Sequence, residues 1–221
     1  VYGEAVDGKD IACNYLSWGD LSAYLDWSGL RPMTELEFEK ACRGTIAPVP
    51  NEYPWGTAGI AASAYTLANA GATNEGIATN YSTTLGNAAY GPTTPDGGAI
   101  DGPVRVGIFA ANGSNSGRAT AGASYYGVME LGGNLWERPV TIGNVNGRAF
   151  TGTHGNGVLA AGGDPDGATW PAPTTADGAG FRGGALNNSA TNLQVSDRIS
   201  AALANTLRRS VDGGRGARLV P

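Results

Sequence analysis

The sequence predicts a globular domain built mainly from long ordered loops, with two short helices near its start and short strands towards its end. Three observations lead there. Gly accounts for 36 of the 221 residues and Pro for 12, where average usage gives roughly 15 Gly at this length. Gly costs about 1 kcal/mol at each helix-interior position, and no segment holds a helical period long enough for a bundle or a coiled coil. Second, five Trp, nine Tyr and four Phe accompany a charged fraction of only 15% and a net charge of −5, far from the low-hydrophobicity, high-charge signature of disorder. Third, the apolar residues fall in short runs bounded by Gly, Asn or Asp, the pattern of short strands. None approaches the ~20 apolar residues that a membrane-spanning helix needs.

The elements follow in order. Ser17-Trp18-Gly19-Asp20 is a capping-box-like helix entry; Leu21, Tyr24 and Leu25 share one face, and Gly29 supplies the stop. In the second helix Thr34 and Glu37 form a capping box after Pro32, Leu36, Phe38 and Ala41 give the apolar stripe, and Gly44 ends it. Residues 45–125 are punctuated by Pro, Gly, Asn, Ser and Thr, with Val104 to Phe109 the one run suited to a strand. Loops beyond ~12 to 15 residues are uncommon in compact domains, so the fold must be one that organises long loops. Later strand candidates are residues 127–131, 135–137, 180–184, 193–195 and 215–220.

Charge and reactive residues narrow the function classes. With 14 basic against 19 acidic residues and no basic run longer than Arg208-Arg209, no phosphate-neutralising patch is expected, and nucleic acid is excluded as a partner. Cys13 and Cys42 stand too far apart for a metal knuckle and are too few for a disulfide scaffold. They read as two separate buried thiols, with a bridge between them left open. The one histidine, His154, lies in the Gly-rich stretch Gly152-Thr153-His154-Gly155 and reads as an exposed loop residue. The sequence opens at Val1 with no signal or lipidation motif, so any address is expected upstream.

The order of the pieces is more specific than any one of them. Leu16-Ser17-Trp18, Ala23-Tyr24, Trp27, the run from Gly29 to Glu39, Ala41-Cys42-Arg43-Gly44 and Tyr53-Pro54-Trp55-Gly56 come first. Tyr126 to Glu137, Phe181-Arg182-Gly183-Gly184 and Arg215-Gly216-Ala217-Arg218 follow. In this order they resemble the formylglycine-generating-enzyme type of domain, also called the sulfatase-modifying factor type, across residues 16–220. The resemblance implies an α+β, C-type-lectin-like fold with small antiparallel sheets, two short helices and long ordered loops. It also implies a single domain over residues 1–221, the family's N-terminal strand segment being missing or upstream.

In the enzymes of that type, copper is held by a cysteine pair just after the Arg-Gly-Gly-Ser-type block, thiolates being the ligands that select soft Cu(I). Here the corresponding stretch, Ala185 to Arg198, contains no cysteine. No catalytic residue is therefore assigned, and no cofactor is required. The same type of domain serves in the variable proteins of diversity-generating retroelements, which are binding proteins, and the closing residues 181–221 resemble such a variable region. That resemblance implies a ligand-binding surface formed by Ile199, Ser200, Leu203, Ala204, Asn205, Leu207, Arg209, Ser210, Val211 and Asp212, facing a protein or surface ligand. It places the protein on a bacterial cell surface or a phage virion.

Residues 199–212 contain no Lys, Glu, Gln, Met or Trp, the five residues that an Asn codon altered at its adenines does not reach. Those five are scarce throughout the chain, which leaves this compatible and little more. Two alternatives stand beside the binding role: an oxidase of the formylglycine-generating type or a degenerate relative, and a carbohydrate-binding lectin, for which no Glu-Pro-Asn or Gln-Pro-Asp motif is present. Within the segment itself, the i, i+4 spacing of Ile199, Leu203, Leu207 and Val211 alternatively gives one short amphipathic helix with its apolar side inward.

The other residues of the family blocks have structural readings. Trp18, Trp27, Trp55 and Trp136 are expected as core or loop anchors. Asn134 and Glu137 match a family segment that can help hold a structural calcium ion. Arg182, Arg198, Arg215 and Arg218 are expected to pair with Glu130, Glu137 or Asp197 and pin the loops. The Arg182 and Arg215 blocks are placed in paired central strands, with Asn187, Asn188 and Arg198 hydrogen-bonding the backbone between them.

Overall fold

The computed structural model describes residues 8, 10–62, 64–70, 72–91 and 102–219. The elements run α1 (Trp18–Trp27), β1 (Arg31–Pro32), α2 (Glu35–Arg43), β2 (Leu67–Ala68), β3 (Gly76–Ile77), α3 (Val145–Arg148), a 3-10 turn (Ala190–Leu193) and β4 (Gly216–Ala217). The chain divides into two compact units. The first holds Val1–Cys13, Glu39–Leu135 and Gly183–Asp197, and the second Asn14–Phe38, Trp136–Arg182 and Arg198–Pro221.

In the second unit, α1 starts where the capping box places it. The Ser17 hydroxyl accepts the Asp20 N–H at 3.1 Å, and the Asp20 carboxylate accepts the Ser17 N–H at 2.9 Å. Trp18, Leu21 and Leu25 turn inward to Val140, Trp170, Ala176 and Ala179, and the Trp18 indole donates to the Pro171 carbonyl at 2.8 Å. Ser22 and Asp26 share this buried face. The Asp26 carboxylate accepts the N–H groups of Asn156 (3.0 Å) and Asp166 (2.7 Å), tying an irregular loop to the helix. Two expectations are corrected here: Tyr24 and Trp27 are exposed, because a face through positions 18, 21, 22 and 25 puts both on its opposite side.

The second capping box also forms, Thr34 Oγ1 accepting the Glu37 N–H at 3.2 Å and the Glu37 carboxylate accepting the Thr34 N–H at 2.9 Å. Of the expected stripe Phe38 is buried and Ala41 half-buried, whereas Leu36 is exposed and Glu35 is turned inward in its place, with Cys42 buried beside it. The only ladder of the second unit among the described residues pairs β1 with β4, antiparallel, Arg31 opposite Ala217 and Pro32 opposite Gly216. Two of the other expected strands, residues 135–137 and 180–184, contract to single bridges, Trp136 with Asp212 and Glu137 with Arg182, and Val140 bridges Ala179 outside them. Residues 127–131 and 193–195 form no ladder. The Arg182 and Arg215 blocks therefore do not pair with each other: Arg182 lies against Glu137, and β4 lies against β1.

The first unit carries the antiparallel pair β2–β3 and two apolar clusters. One gathers Tyr65, Ile77, Ala89, Val104, Ile108 and Phe109; the other gathers Tyr53, Trp55, Ala88 and Leu193. Val104 to Phe109 is a single bridge at Arg105 followed by a turn and not the expected strand, yet Val104, Ile108 and Phe109 are fully buried, while Val106 points out. Polar side chains inside the unit do for the loops what ladders do elsewhere. Asn87, buried, accepts the Tyr65 hydroxyl at 3.0 Å and the Ser82 N–H at 2.9 Å and donates to the Thr120 carbonyl at 2.9 Å. Gly86 is required by close approach, since a Cβ there would lie 1.9 Å from the Trp55 ring. Cys42 is buried and Cys13 exposed, with no disulfide between them, which corrects the expectation of two buried thiols.

Candidate binding surface

The closing segment of the second unit begins on the buried carboxylate of Glu35. At the start of α2 this residue donates its N–H to the Val140 carbonyl at 3.0 Å. Its Oε1 accepts from Arg182 at 2.9 Å, and its Oε2 accepts from Arg198 (3.0 Å), the Thr141 hydroxyl (2.7 Å) and the Ile142 N–H (2.9 Å). Negative charge in a helix's first turn suits the helix dipole. The Arg182 guanidinium also lies over the Phe38 ring, 4.8 Å from its centre. Arg182 and Arg198 were expected on Glu130, Glu137 or Asp197; the carboxylate that joins them is Glu35. Nothing in the Thr34-Glu35-Leu36-Glu37 run marks which glutamate turns inward, so sequence reasoning missed it.

A second anchor is built around Phe181. The guanidinium of Arg138 lies 4.4 Å and that of Arg209 4.9 Å from its ring centre, and Trp136 meets it edge-on at 5.9 Å. Asp212 accepts two bonds from Arg209, at 2.7 and 2.9 Å, and faces Arg138 Nη1 at 3.6 Å. Burial holds the Arg138 guanidinium down at about 10, against the pull of Asp212 in the other direction. Its Nη2 donates to the Asn205 carbonyl at 2.5 Å. A third contact lies further out: Arg208 donates to both oxygens of Asp20, at 2.6 and 2.5 Å, holding that carboxyl well below its usual range, at about 2.

Between these anchors residues 199–211 form no helix, which disposes of the amphipathic-helix alternative. The backbone is fixed by groups from outside the segment. The Ser200 carbonyl accepts the Phe181 N–H (3.0 Å), Arg209 the Tyr15 N–H (3.1 Å), Val211 the Trp136 N–H (2.9 Å) and Asp212 the Leu16 N–H (3.2 Å). The Asn14 side-chain amide donates to the Ser210 carbonyl at 2.9 Å. Side chains are left pointing out: Ile199 is 81%, Leu203 49% and Leu207 63% exposed, and Ala202, Ala204 and Thr206 are exposed with them. Ser200, Asn205, Arg209 and Ser210 are partly covered. Val211 and Asp212, at 7% and 0%, are not. For these two the expected solvent-facing position is corrected: Asp212 is the counter-charge of two arginines, and Val211 is drawn inward by the Trp136 bridge beside it.

Of the expected calcium ligands, Asn134 lies in the first unit and is engaged at both ends by Val104, accepting its N–H at 2.9 Å and donating to its carbonyl at 3.3 Å. Glu137, in the second, is ion-paired with Arg215, whose Nε donates to it at 2.6 Å. Each side chain is thus engaged within its own unit, Asn134 by Val104 and one Glu137 oxygen by a guanidinium. No cluster of three or more His, Cys, Asp or Glu suited to a metal occurs among the described residues. No helix among them is long and apolar enough to cross a membrane. His154 is half-buried, its Nε2 accepting the Leu219 N–H at 3.1 Å.

The family model of the sulfatase-modifying factor enzyme 1-like domain, FGE-sulfatase, matches residues 7–203. The chain belongs to this family. The fold of the FGE-sulfatase family is C-type-lectin-like, and the few helices and two-residue antiparallel ladders agree with its α+β class. No curated protein matches the chain. In the FGE-sulfatase frame, the stretch following Gly184 holds no cysteine; it buries Ala185, Leu186, Leu193 and Val195. Its Leu193 packs on Tyr53, Trp55 and Ala88. Asn188 does anchor the backbone between the two Arg blocks, its side chain accepting the Ala185 N–H at 2.8 Å, whereas Arg198 binds the Glu35 carboxylate and not that backbone.

Proposed function

We propose that this FGE-sulfatase chain is a non-enzymatic ligand-binding protein, of the kind diversified by a retroelement and displayed on a bacterial or phage surface, that engages its ligand through the side chains of residues 199–210. One observation carries the reading: an irregular segment whose backbone is clamped by Arg138, Phe181, Tyr15 and Asn14 while Ile199, Ala202, Leu203, Ala204, Thr206 and Leu207 project outward. Such a construction accepts changes of side chain at those six exposed positions without unfolding, whereas a packed interior responds to a single methylene. The missing thiolates after Gly184 support the same conclusion. The flanking DNA tests the diversified origin: a reverse transcriptase gene and a template copy of the closing segment, differing from it at adenines, are expected, and their absence removes that part of the reading.

The second reading, an oxidase of the formylglycine-generating type, is favoured by the family itself. Its chemistry needs a pair of thiolates for Cu(I), and the chain's two cysteines, Cys13 exposed and Cys42 buried, differ sharply in access. The purified protein is expected neither to bind a stoichiometric equivalent of Cu(I) nor to convert the cysteine of a sulfatase-type peptide to formylglycine. Turnover lost on Cys13→Ser or Cys42→Ser establishes the oxidase instead.

A further inference from the structure

We infer that the partner met by this segment is a protein face with an aliphatic centre and an acidic rim; the inference rests on the binding role proposed above and adds the chemistry of the occupant. The exposed centre is aliphatic, formed by Ile199, Leu203 and Leu207, with no aromatic ring or carboxylate in the segment to stack on or coordinate a sugar. From Arg198 to Val211 every charged side chain is an arginine, and no Asp or Glu occurs. The three, Arg198, Arg208 and Arg209, keep 44%, 66% and 37% of their side chains exposed. Arg209 shares the Asp212 carboxylate with Arg138, so this group carries one positive charge more than its counter-charge. The crowding registers on the buried member, since Arg209 is among the groups that lower Arg138.

A basic partner would add like charge to this edge. The Nε–Nη2 edges of Arg208 and Arg209 are held by Asp20 and Asp212, so an incoming carboxylate meets the remaining N–H groups of guanidinium planes that stay 66% and 37% exposed. The aliphatic centre excludes water around those pairs, where they are strongest. Arginine and aliphatic side chains thus ask for the complementary pattern, apolar inside and acidic outside.

The test is a random peptide library displayed on phage and panned on the immobilised full chain. Enriched peptides are expected to set Asp or Glu beside Leu, Ile, Val or Phe. Synthetic copies are expected to bind more weakly as salt rises, and roughly tenfold or more weakly to Leu203→Ser or Leu207→Ser, a loss typical of contact at the centre of an interface. Both substitutions fall on exposed, unpacked positions, and an unchanged melting temperature certifies each variant. Enriched peptides that are basic or uncharged, yet still weakened by the two substitutions, overturn the acidic-rim inference and leave the binding role standing. Peptides indifferent to both substitutions, or no enrichment over a blank surface, overturn the two together.

Discussion

Asp212 shows how a single long-range contact changes the meaning of a residue. In a Gly-rich closing stretch an aspartate reads as solvated and replaceable, and only the fold reveals that it is fully buried between Arg138 and Arg209. Removing one partner of a buried ion pair leaves the other charge uncompensated and costs about 3–5 kcal/mol. Asp212→Ala is therefore expected to lower the urea midpoint strongly, while Ile199→Ser, at an 81% exposed position, stays within about 0.5 kcal/mol of the parent. Asp20 adds a pH signature. Its folded pKa is depressed to about 2, mainly by Arg208 and also by Ser17, so its contribution is complete above the ordinary carboxyl value of about 4 and is lost as pH falls towards 2. Acid titration of Asp20→Asn is expected to show a shallower loss of stability between those limits. The difference shrinks with added salt, because the Arg208 partner is exposed.

At the scale of elements, what could be read from the sequence was what local chemistry decides. Both capping boxes, Ser17 with Asp20 and Thr34 with Glu37, form as their spacing requires, since each is closed by side chains three residues apart. Short strands were legible as apolar runs but not as ladders. Whether residues 180–184 pair for two residues or bridge through one depends on partners more than forty residues away. For the same reason the binding segment was legible as a segment while its clamps were not: Glu35 and Arg138 act on residues 163 and 67 positions distant. Gly180 is part of that clamp, because a Cβ there would stand 1.8 Å from the Ala201 carbonyl oxygen. Gly180→Ala is expected to cost at least the ~1–3 kcal/mol of overpacking. It is also expected to raise amide exchange at Phe181, whose N–H is bonded to the Ser200 carbonyl, without a matching rise at Leu21 in α1.

For the molecule as a whole, the distribution of its few regular elements has a consequence for how it can vary. Ladders of two residues leave the rest of the backbone to isolated backbone bonds in turns and loops and to side-chain contacts, so tolerance to substitution is decided residue by residue and does not follow element boundaries. Within residues 199–212 it alternates: Ile199, Ala202, Leu203, Ala204, Thr206 and Leu207 project into solvent, while Val211 and Asp212 are buried. Exposed positions that share no packed partner contribute nearly additively, each within about 0.5 kcal/mol. Simultaneous change at all six should then sum to a small and often cancelling total. Two libraries, one randomised at those six positions and one at Val211, Asp212 and Arg138, are expected to separate cleanly in a protease-resistance screen. Most members of the first should remain folded, and most of the second should be digested. Equal survival of the two libraries would mean that the clamps do not carry the fold. Equal digestion would mean that the six side chains support it, and a surface built to vary could not then be made from them.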